Sequence, residues 1–145
     1  MQTLYVSIIS VFLCFISNAE EKLKTLEPIS KTAKHPKNVN LKLMSTNPKY
    51  GYSDSVPIKV GHNKDFMKGP ASQRAYFETL LDSKGNPVSY KRLFSGGNSP
   101  DGNSLDCYEI TLKNKTKVRL WIDMYFEKND PKLQPAPVGF YKKKD

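Results

Sequence analysis

His62 is the sole histidine between residues 47 and 141, and acid–base chemistry on this chain would centre on it. A catalytic imidazole needs a carboxylate to orient it, and Asp54, Asp65 and Asp106 are the candidates. Cys107 sits beside Asp106 and could act as a nucleophile activated by His62. The competing reading makes Cys107 a small, half-buried strand residue whose neighbouring carboxylate disfavours the thiolate, and makes His62 a solvated loop residue. One Cys and one His cannot close a zinc site, so no metal is expected. Ser95-Gly96-Gly97-Asn98 lacks the lysine and the strand–loop–helix setting of a phosphate loop. Asp106, Glu109 and Asp123 are carboxylates on neighbouring extended segments, which exposed strand positions also explain. No cofactor is expected.

A second constellation suits binding. Tyr90, Lys91 and Arg92 lie on one extended segment, and Arg119, Trp121, Asp123 and Tyr125 alternate along another. In a strand the latter four share one face, opposite Val118, Leu120, Ile122 and Met124. If a helix covers the apolar stripe, Trp121 and Tyr125 face outward beside arginine and could stack on a sugar ring or engage a partner chain. The candidate binding set is Tyr90, Arg92, Arg119, Trp121 and Tyr125; the alternative is that loops cover this face as a second small core.

These residues need elements to position them. Val56-Pro57-Ile58-Lys59-Val60 alternates apolar and polar as a half-buried strand does, and Pro57 argues for a sheet edge. Gly69-Pro70 opens a helix whose Tyr76, Phe77, Leu80 and Leu81 form one apolar stripe, with Arg74 and Glu78 as a surface pair. Asp82 to Pro87 is dense in turn residues. Val88 to Phe94 reads as extended, and Ser95 to Ser104 as a loop. Asp106 to Leu112 and Val118 to Phe126 alternate apolar residues around the five residues Lys113 to Lys117, which predicts a hairpin. Asn114-Lys115-Thr116 matches a glycosylation sequon, relevant only for a secreted eukaryotic protein. The fold class is α+β: a small antiparallel sheet of about four strands with one packed helix.

The chain of 145 residues carries a formal net charge of +9. Residues 1–19 hold no charged side chain, and an apolar run from Leu4 to Ile16 followed by Ser17-Asn18-Ala19 has the form of a signal peptide. Cleavage is expected after Ala19, with retention as an N-terminal anchor the alternative. The mature protein would be exported to the periplasm or the extracellular space, with no stable transmembrane anchor. Cys14 leaves with the signal, so Cys107 has no intramolecular partner. Residues 20–46 hold six lysines, two prolines and no aromatic residue, and read as a basic flexible tether. A single domain follows over residues 47–141; Tyr141 opens a frayed basic tail that leaves residues 142–145 outside it. A surplus of positive charge favours an anionic envelope polymer or a partner protein, and export disfavours nucleic acid.

The pieces Tyr50-Gly51-Tyr52, Pro57-Ile58-Lys59-Val60-Gly61, Gln73-Arg74-Ala75-Tyr76, Gly85-Asn86-Pro87, Ser89-Tyr90-Lys91-Arg92-Leu93, Leu105-Asp106-Cys107-Tyr108-Glu109-Ile110 and Pro137-Val138-Gly139-Phe140 occur in an order that resembles a family of short exported bacterial proteins. That family is often catalogued as 2-dehydro-3-deoxyphosphooctonate aldolase. Its paired cysteines after a Gly-Ser step are replaced here by Gly96-Gly97, and it supplies no catalytic residue to carry over. The resemblance implies an exported protein and, through the name, an aldolase. Enzymes making that sugar acid phosphate are (β/α)₈ barrels, which need about 200–250 residues. The leading expectation is a non-enzymatic module that binds an anionic or glycosidic ligand or a partner protein. A small hydrolase or lyase using His62 with a carboxylate such as Asp106 is the alternative, and the aldolase a third.

Overall fold

The computed structural model describes residues 25–61, 68–126 and 128–144. It contains β1 (Val39–Asn40), β2 (Ile58–Lys59), α1 (Gly69–Glu78), β3 (Leu80–Leu81), β4 (Ser89–Asn98), β5 (Ser104–Thr111), β6 (Lys117–Asp123) and β7 (Tyr141–Lys143). The main sheet has the order β2-β6-β5-β4, and a second sheet has the order β1-β7-β3. The class is α+β, with one short helix and two small sheets. Among the described residues no helix is long and apolar enough to cross a membrane.

The alternation along β5 and β6 builds the core. Tyr108 pairs with Leu120 and Ile110 with Val118, so their side chains share one face. Tyr76 and Phe77 of α1 pack on that face, and both are buried. The Phe77 ring stacks on Tyr90 at 4.9 Å and lies 4.7 Å from Tyr108. Ile58 and Val60 are fully buried and Lys59 is not, as the alternation requires. β2 does lie at a sheet edge, but it runs parallel to β6, so the sheet is mixed and not purely antiparallel. A parallel partner needs a long crossover, and α1 with the strands that follow it supplies one.

The helix ends before Leu80. At Thr79 the side-chain hydroxyl donates to the Tyr76 carbonyl at 2.8 Å, and the Thr79 carbonyl accepts the Lys143 N–H at 2.7 Å. Leu80 and Leu81 then pair with Lys142 and Tyr141 as β3, still buried but in strand geometry. The expected frayed tail is therefore the central strand of the second sheet. Tyr141 is buried, and Lys142 is fully buried with its ammonium donating to the Pro131 carbonyl at 3.0 Å and lying 4.1 Å over the Tyr76 ring.

Residues 25–46, read from composition as a tether, run along the body in this structure. Val39 is buried where β1 joins β7, and Ile29 and Met44 pack against Val39, Leu81 and Tyr141. Leu43 and Ser45 exchange backbone hydrogen bonds with Ala136 at 2.9 and 2.8 Å, and His35 Nδ1 meets the Tyr141 hydroxyl at 2.7 Å. A few spaced apolar side chains are enough when they dock on a surface the rest of the chain has already built. Leu26 meets Gly139, whose φ of +87° and lack of a Cβ admit it; an added Cβ would lie 2.3 Å from the Leu26 Cβ. The adjacent Phe140 is fully buried, which pins the Pro137-to-Phe140 segment to the domain.

Candidate functional site

β4 carries the local irregularity that shapes the site. Arg92 pairs with Tyr108, but Phe94 pairs with Cys107, so Leu93 is an extra residue in the register. Such a bulge reverses the alternation and re-aims the side chains beyond it. Arg92 and Ser95 fall on the helix-facing side, opposite Tyr108 and Asp106 respectively, while Phe94 falls on the other side. β4 also continues through Gly96-Gly97 to Asn98, well into the expected loop, leaving only residues 99–103 as the turn to β5.

On the helix-facing side the bulge closes a polar cluster around Asp106, which is buried at 4 % exposure. Arg92 Nη2 lies 2.8 Å from its Oδ1, and the Ser95 hydroxyl donates to the same oxygen. The amide of buried Gln73 donates to Oδ2 at 2.7 Å, and the Tyr108 hydroxyl donates to the Gln73 Oε1 at 2.8 Å. Burial pushes the Tyr108 phenol up. Three donors thus converge on one carboxylate and join α1, β4 and β5 at a single point. This engages both oxygens of Asp106, and it explains why a charged residue opens an otherwise apolar strand face.

The opposite side of the sheet presents three rows defined by register. Lys91, Glu109 and Arg119 form one, Phe94, Cys107 and Trp121 the next, and Lys59 with Asp123 the third. Phe94 and Trp121 meet edge to face with centroids 5.7 Å apart. Phe94 is 48 % exposed and Trp121 is partly buried. Cys107 between them is fully covered, and burial raises its thiol pKa, which keeps it protonated. Glu109 pairs with Lys117 at 2.9 Å, and Lys59 pairs with Asp101. Asp123 is fully buried, with its carboxylate held by Asn103 Nδ2 at 3.2 Å and by the Tyr125 N–H at 3.1 Å.

The candidate residues therefore divide. Arg119 and Trp121 share the outer face as the alternation predicts, and Tyr125 lies just past the end of β6 at 38 % exposure. Tyr90 belongs to the other face, partly buried against Phe77, and Arg92 belongs to the Asp106 cluster. Arg92 faces inward because it pairs with Tyr108 in the same register that pairs Tyr90 with Ile110, and Phe94 faces outward because of a one-residue bulge that has no signature in the sequence. Gln73 was hidden inside a helix pattern. His62 and Asp65 lie outside the described residues, and Asp54 is exposed. Among the described residues no group of three His, Cys, Asp or Glu side chains is placed to hold a metal ion. Compared with known protein families, curated proteins and solved structures, the chain matches none.

Proposed function

We propose that this chain is an exported, non-enzymatic binding module that holds an acidic glycan on the outer face of its four-stranded sheet. The observation that carries the reading is the Phe94–Trp121 pair, partly exposed on a sheet face that the helix leaves uncovered. Aromatic rings fixed in a strand offer flat apolar area at little entropic cost, which suits the C–H faces of a sugar ring. In the adjacent row Lys91 and Arg119 flank Glu109, whose carboxylate is held by Lys117, and the two cations offer charge to uronate carboxylates, with guanidinium geometry matched to a carboxylate. The net charge of +9 draws such a polymer in over a longer range. The resemblance to short exported proteins fits a module working outside the cytoplasm. The hydrolase or lyase reading gains nothing from Asp106, whose oxygens already serve Gln73, Arg92 and Ser95.

Titration of an alginate oligosaccharide against the intrinsic fluorescence of Trp121, the single tryptophan, tests this. The alginate should quench or shift the emission, and a neutral dextran oligosaccharide should not. Followed by calorimetry, Trp121→Ala should weaken alginate binding by about tenfold or more. It should cost well under the ~3–5 kcal/mol of stability expected for a core tryptophan. Unchanged binding in Trp121→Ala, or no preference for alginate over dextran, would overturn the proposal.

A further inference from the structure

Strand β4 is the last strand of the main sheet, and among the described residues no strand pairs with its far edge. It spans ten residues, and eight of them are exposed. Leu93 and Phe94, at 37 % and 48 % exposure, put apolar area at its middle. Lys91 and Arg92 precede them, and no acidic residue occurs in Ser89–Asn98. Outside its two register shifts, between Arg92 and Phe94 and between Ser95 and Asn98, such an edge presents backbone donors and acceptors to an extended chain.

The character of the edge selects its occupant. A second copy of the chain would bring +9 against +9, and Lys91 with Arg92 is a recognised device against edge-to-edge pairing of like chains. The same charges favour an extended segment rich in Asp or Glu. We propose that the far edge of β4 takes up an acidic peptide as a fifth strand of the main sheet. Backbone hydrogen bonds along β4 supply most of the affinity, as in other strand-addition complexes. Lys91, on the outer face, pairs with the carboxylates, the Arg92 cation being held by Asp106 on the other face, and Leu93 and Phe94 add apolar contact. Arg92 keeps its bond to Asp106 throughout, because that pair fixes the bulge from the opposite side.

Three fluorescein-labelled probes test this on the full chain: an acetylated (Val-Glu)₄ amide, the same peptide N-methylated on residues of both its edges so that neither can pair, and a (Val-Lys)₄ amide. By anisotropy the acidic peptide should bind, and both the N-methylated and the lysine peptides should bind at least about tenfold more weakly. Binding should weaken as salt is raised, because the charges involved are exposed and screened. Amide hydrogen exchange across Ser89–Asn98 should slow when the acidic peptide is bound. Equal affinity for the N-methylated peptide would overturn strand addition, and equal affinity for the lysine peptide would overturn the charge selection. A concentration-dependent dimer that protects β4 without any peptide would assign the edge to a second copy and likewise overturn the proposal.

Discussion

Replacing Asp106 with alanine removes the one acceptor on which Gln73, Arg92 and Ser95 converge. The three contacts are not equal. Gln73 is 1 % exposed, so its amide would be left without a partner away from water, and a hydrogen bond to a charged acceptor is worth about 1.5–3 kcal/mol. The Arg92 side chain is 51 % exposed and regains water on losing its partner, so that pair adds about 0–1 kcal/mol. Ser95 is exposed and adds little. The expected loss is therefore about 2–4 kcal/mol, dominated by Gln73. Asp106→Asn keeps an oxygen that can face the Gln73 amide but puts an NH2 donor where Oδ1 accepts from Arg92 and Ser95; both of these are exposed and can turn to water, so it should cost about 1 kcal/mol. Urea unfolding followed by Trp121 emission and far-UV circular dichroism measures both. With a slope of about 1–3 kcal/mol per molar, the alanine variant should lose between about 0.7 and about 4 M in midpoint. If Asp106→Ala unfolds within about 0.5 kcal/mol of wild type, or if asparagine costs as much as alanine, the carboxylate is not the anchor described and the ranking of its partners is wrong.

Two further outcomes follow from the buried tyrosines. The Tyr50 hydroxyl is buried with no hydrogen-bond partner, whereas the Tyr76 hydroxyl donates to the Pro135 carbonyl at 2.7 Å. Tyr50→Phe should thus be neutral or stabilising in urea unfolding and Tyr76→Phe should lose about 1 kcal/mol; equal losses would contradict this. Burial also raises the phenol pKa of Tyr50, Tyr52 and Tyr76 above the usual value, so the folded state holds these protons more tightly than the unfolded chain. Their contribution is complete below about pH 10 and is lost as pH rises beyond it, so urea midpoints should fall steeply there, in step with tyrosinate absorbance. Tyrosine ionisation near pH 10 with an unchanged midpoint would refute that sign.

Period-2 alternation in Asp106–Leu112 and Val118–Asp123 was strong enough to give the central hairpin and its buried face, because each apolar residue there meets a cross-strand partner. The start of α1 was legible from Gly69-Pro70 for a similar local reason. Its end was not, since Leu80 and Leu81 continue a helical stripe as well as they fit a strand. The choice is made by a backbone edge offered some 60 residues later by Lys142 and Lys143. Lys142 itself, fully buried in a basic terminus, is the plainest case of tertiary context overriding composition. The outer position of Arg119 and Trp121 was legible; the inward turn of Tyr90 and Arg92 was not, because it is set by their pairing with Ile110 and Tyr108 on the next strand, nor was the outward turn of Phe94, because one residue of register intervenes before it.

That interruption links the anchor to the proposed surface. Without an extra residue at Leu93, Arg92 and Phe94 would lie on the same face. Either Phe94 would enter the helix side and leave Trp121 without its ring partner, or Arg92 would leave Asp106 and take its cation to the outer face. The bulge satisfies both demands: Arg92 and Ser95 bracket it on Asp106, and Phe94 between them is turned out against Trp121. The cluster beneath the sheet therefore fixes the placement of the aromatic pair above it. A side chain nearly half exposed has few packing contacts of its own to hold it, and the buried carboxylate supplies that hold through the strand. On this account the Asp106 cluster shapes the binding face from the opposite side of the sheet, which is why a polar network sits where the alternation alone calls for an apolar residue.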